Sequence, residues 1–180
     1  MITETKEKIL NKQSLSIKEK LAYLNFIKTF AAKNDVRQYL NNVIIEENRI
    51  YACNGHVVGV IENIDTEGLP NVVTVPSIIN ANKVNNIILL EAGNKDRYPN
   101  IDSLIPKTRS FKEGSMDPRY LGIIFNSLDK LQRTLGCADL SVTVEQIDPL
   151  DANIFTTSIQ QDSNTFPIYI TIVIMPMRKE

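Results

Sequence analysis

The order of the predicted elements constrains this chain most: an amphipathic helix followed by three short β-branched strands, occurring twice. In each set, apolar residues first recur at steps of three and four, and then form short runs separated by polar turns. The first set is a helix over residues 16–33 and strands over 38–46, 49–53 and 57–62; the second is a helix over 118–135 and strands over 140–146, 154–159 and 168–175. This approximate internal repeat predicts an α+β fold with two helices packed on antiparallel sheets.

Local signals mark the ends of both helices. Ser16 and Glu19 have the spacing of a capping box, in which each side chain satisfies a free backbone amide at the helix start. Asp117 and Pro118 suit the cap and the first position of the second helix, and Gly136 suits a left-handed stop. Both helices are therefore predicted from their ends as well as from their apolar stripes.

The middle of the chain gives weaker signals. Residues 72–75 and 87–90 are short apolar runs typical of buried strands, whereas residues 77–83 fit either one helical turn or a loop. Residues 94–109 contain Pro99 and Pro106 and are expected to be largely irregular.

Composition and charge exclude several classes of protein. The chain has 180 residues, 43% of them apolar, and a net charge of −1, which excludes coating of nucleic acid by bulk charge alone. Cys53, Cys137 and the single His56 form neither a disulfide framework nor a zinc pattern, so we expect no metal and no cofactor. The charged residues 1–13 lack the apolar core of a signal peptide, and the apolar run 166–177 is too short to span a membrane. We therefore expect a cytoplasmic protein without a membrane partner.

Catalytic patterns are also lacking in the sequence. Cys53 and His56 lie three residues apart on a strand and turn, which does not by itself make a nucleophile and base. The glycines form neither a phosphate loop nor a dinucleotide fingerprint. We expect no enzymatic activity and no catalytic residues, with an unrelated small enzyme as the remote alternative.

Five segments resemble one family, the bacterial DNA sliding clamp, which is the beta subunit of the replicative DNA polymerase. Residues 35–41 (D-V-R-Q-Y-L-N), 52–58 (A-C-N-G-H-V-V), 98–107 (Y-P-N-I-D-S-L-I-P-K) and 175–178 (M-P-M-R) resemble family motifs, and 117–121 (D-P-R-Y-L) resembles the start of its last helix. The resemblance covers roughly residues 12–178, in family order. The family chain has three similar domains and about twice this length, so the resemblance implies a condensed, DNA-clamp-like chain. We expect an N-terminal arm over 1–11 and one domain over 12–178, with halves of about 12–63 and 109–178 joined by a shortened connector, 64–108.

In the family, these motifs surround a hydrophobic pocket that captures short peptides from polymerases and repair proteins. The resemblance implies a peptide site made of Leu40, Gly55, His56, Val58, Pro99, Leu104, Val173, Met175, Pro176 and Met177. The family's charged positions are occupied here by Asn54, Val57 and Ser103, which removes charge from the rim and leaves the apolar floor. Methionine suits such a site because its side chain adapts to varied partners.

Two residues of this implied site have structural alternatives. His56 either orients a bound peptide or is a turn histidine that is hydrogen-bonded to the backbone. The Met-Pro-Met segment either lines a pocket or is a strand end that packs in the core.

The family's helices line a ring that holds duplex DNA through phosphate contacts, so a second implied surface is basic. Residues 1–33 contain seven lysines against three glutamates, a net charge of +4. The candidate DNA-binding residues on the two helices are Lys18, Lys20, Lys28, Lys33, Arg119, Lys130 and Arg133. The alternative is that these charges only solvate a helix face.

Two functional hypotheses follow from the resemblance. The first is a processivity factor, a homo-oligomeric ring of about six copies around duplex DNA, because closed rings repeat one interface. The second is a monomeric or small-oligomer regulatory or decoy module that binds clamp-seeking peptides without encircling DNA.

Overall fold

The computed structural model describes residues 14–93, 95–105, 118–136, 140–146, 152–160 and 167–175. Within them the chain forms a mixed α/β fold with three α-helices and one seven-stranded antiparallel sheet. The helices are α1 (Ile17–Ile27), α2 (Val75–Val84) and α3 (Pro118–Leu135); the strands are β1 (Asn42–Glu46), β2 (Arg49–Cys53), β3 (Val57–Glu62), β4 (Val72–Thr74), β5 (Thr143–Gln146), β6 (Asn153–Ile159) and β7 (Ile168–Ile174). The predicted arm, residues 1–11, lies outside the described residues.

The sheet consists of two three-stranded meanders joined at its centre, with β4 added at one edge. Its strand order is β4-β1-β2-β3-β7-β6-β5, with β1-β2-β3 on one side and β5-β6-β7 on the other. The last strand of each meander pairs with the other, so that Val58 lies opposite Val173 and Val57 opposite Ile174. Strands that are far apart in sequence are therefore neighbours at the centre of the sheet.

The predicted end signals of the helices are present. Ser16 Oγ accepts a hydrogen bond from the Glu19 amide at 3.3 Å, and Glu19 Oε2 accepts one from the Ser16 amide at 2.9 Å. After α1, residues Lys28–Phe30 continue as a 3-10 turn. Helix α3 has the predicted bounds, and Gly136 follows it with φ +70. The side chain of the predicted cap, Asp117, lies outside the described residues.

Three predictions about other segments were wrong or incomplete. Residues 38–41, predicted to begin a strand, form a 3-10 turn, Gln38–Asn41. Residues 87–90, predicted as a buried strand, contain a 3-10 turn instead. Ile88 in this turn is 86% exposed, and the Asn86 side chain caps the turn by accepting from the Ile88 amide. The ambiguous segment 77–83 belongs to the full helix α2.

Part of the connector also covers one edge of the sheet. Strand β4 pairs with β1 on one side, and residues 91–93 run along its other side. The Thr74 amide donates to the Glu91 carbonyl at 3.1 Å, and the Gly93 amide donates to the Val72 carbonyl at 3.0 Å. Backbone groups on the outer side of β4 are thus already hydrogen-bonded to residues 91–93 of the same chain.

Apolar side chains cover both faces of the first meander, because residues on a strand alternate between faces. On one face, Val57 and Ile61 pack under α1, and on the other, Val58 and Val60 join a second cluster. Gly59 lies where the Phe30 ring meets β3, and a Cβ atom there would collide with that ring. The helices therefore lie on one face and the peptide-site candidates lie around the other.

A buried ion pair fastens α1 to the loop after β3. Lys20 Nζ lies 2.8 Å from Asp65 Oδ2, and both side chains are about nine-tenths buried. Lys20 also donates to the Glu67 carbonyl at 2.7 Å, while the amides of Leu15 and Glu67 donate to Asp65. Burial alone would raise the pKa of Asp65, but these hydrogen bonds outweigh it and the pKa is lowered.

We expect Asp65→Asn to lower the free energy of unfolding by about 3 kcal/mol, because it leaves the Lys20 charge buried and unpaired. Asp129→Asn is the matched control, since Asp129 pairs with Arg133 in solvent, and its loss should stay below about 0.5 kcal/mol. Urea unfolding measures both. Because the pKa of Asp65 is lowered by folding, the difference from wild type should be full near pH 7 and shrink as pH falls below about 4. Equal losses in the two variants would contradict the role of the buried pair.

Within the described residues, no helix has both the length and the apolar character required to cross a membrane.

Candidate functional site

The segments that carry the family motifs meet around the sheet face opposite the helices. Leu40, Val58 and Val173 belong to one buried cluster on that face, and Leu104 and Met175 pack against it. We name this buried cluster, together with the partly buried residues that pack against it, the opposite-face cluster. The Met175 amide donates to the His56 carbonyl at 2.8 Å, which joins the end of β7 to the turn between β2 and β3. Segments that are distant in sequence thus form one continuous surface.

The candidate peptide residues differ in how far a ligand could reach them. Leu40, Val58 and Val173 are at most 1% exposed, so they support the surface from below and are not contact residues. Gly55 and His56 are exposed, and Pro99, Leu104 and Met175 are half-buried. Pro176 and Met177 lie outside the described residues. Of these accessible residues, Gly55, His56 and Met175 lie at the β2–β3 turn and the end of β7, whereas Pro99 and Leu104 belong to residues 95–105.

The turn at Asn54–His56 is held by its own side chains. Asn54 Oδ1 accepts hydrogen bonds from the amides of His56 and Val57, both at 2.9 Å, and Gly55 adopts φ +89, which glycine tolerates best. The exposed His56 ring stacks on Tyr120 of α3, with ring centroids 6.4 Å apart. The turn therefore uses the backbone amide of His56, and both alternatives for its imidazole, a contact with a peptide and a hydrogen bond to the backbone, stay predictions.

Arg37 places a positive charge beside this turn. Its guanidinium forms an ion pair with Asp35 at 2.9 Å, and a Cβ atom on Gly55 would lie 3.4 Å from Arg37 Nη2. The hydrogen bond from Arg37 lowers the pKa of Asp35 to about 2. Sequence reasoning predicted a rim that had lost charge, but it overlooked this arginine, although Arg37 lies within the quoted 35–41 motif.

Residues 95–105, which we name the strap, cross the opposite face and are held at both ends by ion pairs. Lys95 Nζ lies 2.6 Å from Glu46 Oε1, and Arg49 Nη2 lies 2.7 Å from Asp102 Oδ1. The hydrogen bond from Lys95 lowers the pKa of Glu46. These two pairs join the strap to β1 and β2.

Between those ion pairs, aromatic contacts fill the strap. The Tyr98 ring packs edge-on against Tyr39 and Tyr51, with centroids 6.3 and 5.6 Å apart. Burial raises the pKa of Tyr98, and it also raises the pKa of the Cys53 thiol beneath it. The strap therefore covers the buried part of the opposite-face cluster.

A concave surface lies in the helix layer, on the other side of the sheet. A groove of about 1070 Å³ runs between α1, α2 and α3. Five lysines line it, and we name it the lysine groove after them: Lys18, Lys28, Lys33, Lys83 and Lys130. Asn25, Asn82 and Asn126 add hydrogen-bonding groups, and no aspartate or glutamate is among its described lining residues. Such a surface attracts anions.

The lysine groove brings together four of the seven candidate DNA-binding residues. Lys18, Lys28, Lys33 and Lys130 line it, and the pKa of Lys28 is lowered by burial and by repulsion from Lys130 and Lys33. The two arginines, Arg119 and Arg133, are exposed on α3 but are not among the lining residues. Arg133 pairs with Asp129 at 3.0 Å.

Lys20 does not lie on this surface, because its ammonium is buried against Asp65. Lys83, by contrast, lies in the groove and was not a candidate, because its segment had no firm helix prediction. A local signal for that helix exists: Thr74 caps α2 by accepting from the Ser77 amide, Pro76 lies in its first turn, and Asn85 ends it with φ +51.

Comparison with known proteins does not identify a family for this chain. No model of a known protein family matches the sequence, and a search of curated proteins finds no significant match. Among the described residues, no group of three or more histidine, cysteine, aspartate or glutamate side chains is arranged to hold a metal ion. Function is therefore inferred from the two surfaces and from the residues that line them.

We expect Tyr98→Ala to lower the free energy of unfolding by about 2 kcal/mol or more, because it removes the ring that fills the strap. The control is Tyr169→Ala on β7, whose side chain is half in solvent, and its loss should be about 1 kcal/mol or less. Urea unfolding monitored by circular dichroism provides both values. If the two variants lose equal stability, the strap does not contribute to the packing of the opposite face.

Proposed function

We propose that this protein is a sliding-clamp-like protein of DNA replication or repair that binds short hydrophobic peptide motifs of polymerases or repair proteins. The observation that supports this proposal best is that two of the motif segments meet where the Met175 amide donates to the His56 carbonyl. The resemblance requires these segments to be close in space, whereas their spacing along the sequence does not require it. The proposed role is binding rather than catalysis, in the cytoplasm.

Two properties of the surface suit a peptide ligand. Met175 and Leu104 are half-buried, so each offers apolar area without being sealed in the core. The exposed His56 and the nearby Arg37 add polar groups at the rim. Peptide sites typically combine an apolar floor with a few orienting polar groups. A hydrophobic anchor next to the end of β7 is the contact that this surface favours.

The arrangement of the sheet also supports a condensed clamp-like domain. A helix precedes each three-stranded meander, α1 before β1-β2-β3 and α3 before β5-β6-β7. The two meanders join through β3 and β7, which is how two half-domains would combine into one sheet. The helix layer carries the lysine groove, so we include non-specific contact with duplex DNA phosphates in the proposed function.

The double variant Met175→Asp, Met177→Asp should abolish binding of a fluorescent clamp-motif peptide. Two carboxylates in the Met-Pro-Met segment remove the apolar anchor area that such recognition depends on, and loss of an anchor typically weakens binding by at least about 30-fold. Fluorescence anisotropy measures the affinity. Tyr169→Asp is the control, because Tyr169 is exposed near the opposite end of the same strand, and it should bind peptide as wild type does. The double variant must still unfold cooperatively, which shows that it is folded. If its affinity for the peptide is unchanged, the proposed peptide site is wrong.

A second candidate is a regulatory or decoy module that binds clamp-seeking peptides without encircling DNA. The observation that favours it is the covered edge of β4, where residues 91–93 use the outward backbone groups. A ring that closes by continuing the sheet from copy to copy needs a free strand edge at both ends of each copy. Under this candidate, the protein acts as a monomer or small oligomer.

Light scattering should then give the mass of one or two copies, both alone and with DNA. Because an open protein is not topologically linked to its ligand, retention on nicked circular DNA should equal retention on the same DNA after linearisation. The two DNA forms serve as matched controls for each other. A species of about six copies that is retained only on the circle would overturn the second candidate and support the ring.

A further inference from the structure

The lysine groove has an apolar interior as well as a basic rim. Ile79 of α2 and Ile123 of α3 both line it, and they are 41% and 40% exposed. Phe26 of α1 also belongs to the lining but is almost fully buried. Both isoleucines thus expose apolar area inside one concave surface, and a ligand that covers them removes that area from water.

The charges around these isoleucines all have one sign. Lys28, Lys33 and Lys130 lie close enough to one another that their repulsion contributes to the lowered pKa of Lys28. No carboxylate among the described lining residues compensates them. A ligand that brings negative charge into the groove would relieve this repulsion, so the complementary partner is acidic.

We propose that the lysine groove docks an acidic amphipathic helix of a partner protein. The groove is bounded by three helices, and a further helix can pack its side chains between theirs. In this binding mode the apolar side chains of the ligand, at positions i, i+3, i+4 and i+7, cover Ile79 and Ile123. Its glutamates lie beside the lysines on the rim.

The two isoleucines favour this occupant over duplex DNA in the groove. A duplex carries its charge on phosphates at its surface, so it pairs with exposed rim residues such as Lys33 and Lys130 without covering the two isoleucines. An acidic amphipathic helix satisfies the lysines and covers the isoleucines together. Because both ligands would use the same lysines, they should compete. This inference goes beyond the clamp-like function and does not depend on the peptide site on the opposite face.

The probe is a fluorescent synthetic helix of about 18 residues, with leucine at the i, i+3, i+4 and i+7 positions and glutamate on the other face. Fluorescence anisotropy with the full chain at about 0.15 M salt should show saturable binding, and a peptide with lysine in place of every glutamate should not bind. The double variant Ile79→Asp, Ile123→Asp should weaken binding of the acidic peptide by about tenfold or more. Ile88→Asp is the matched control, since Ile88 is exposed outside the groove lining and should have no effect.

A second variant tests the rim independently of the isoleucines. Lys83→Glu with Lys130→Glu should also weaken the acidic peptide by about tenfold or more, because it replaces attraction by repulsion at two exposed positions. Thermal unfolding establishes that each variant is folded, and the surface positions of all four residues make large losses of stability unexpected.

Three outcomes would overturn the proposal. One is equal affinity of wild type and the Ile79→Asp, Ile123→Asp variant for the acidic peptide. Another concerns binding of a 20-base-pair duplex. If the isoleucine variant weakens duplex binding as strongly as it weakens peptide binding, DNA is the occupant of the groove. The third is a fall in the mass of the protein by light scattering in the isoleucine variant, which would make a second copy the occupant. Failure of the clamp-motif peptide assay would leave this result unaffected, because that assay uses the opposite face.

Discussion

The antiparallel pairing of β3 with β7 is the interaction on which both surfaces depend. It places the C-terminal strand beside the first meander, with Val58 opposite Val173. Without it, Met175 would not reach the His56 carbonyl, and the helices α1 and α3 would not lie side by side over one sheet. Because this pair joins strands more than a hundred residues apart, its formation must follow a large loop closure, which is typical of slow non-local β pairing. The contact that defines the proposed peptide surface is thus made by the same step that completes the sheet.

Alternation along the strands separates the two proposed activities onto opposite sides of the molecule. Val57 and Ile61 point to the helix layer, whereas Val58 and Val60 point to the opposite-face cluster. A ligand in the lysine groove and a peptide near Met175 would therefore not collide directly. The seven-stranded sheet, which is packed on both faces in the first meander, is a stiff layer between them. This geometry suits a platform that holds two partners at once.

The connector does more than join the two halves. It supplies α2, which turns the surface of α1 and α3 into a groove and contributes Lys83 and Ile79 to it. It also supplies residues 91–93, which cover β4, and the strap, which is held to β1 and β2 by Lys95 and Asp102. Each of these features bears on the proposed clamp-like function: the shape of the basic surface, the availability of a sheet edge and the access to the apolar face. The connector is therefore where this chain differs most from a simple pair of half-domains.

Local sequence was sufficient for the elements whose signals are short-range. The bounds of α3, β2 and β3 and the capping box of α1 were predicted correctly, because caps, glycines and apolar spacing act within a few residues. The prediction of a buried strand over 87–90 was wrong. The apolar composition of this segment suggested burial, but the segment forms a 3-10 turn that the Asn86 side chain caps. The lysines show the same limit: Lys20 lies on α1 and Lys28 in the 3-10 turn that continues it, yet Lys20 is buried against Asp65 while Lys28 lines the groove. Pairings across dozens of residues set burial and charge environment, and those pairings exist only once the chain has folded.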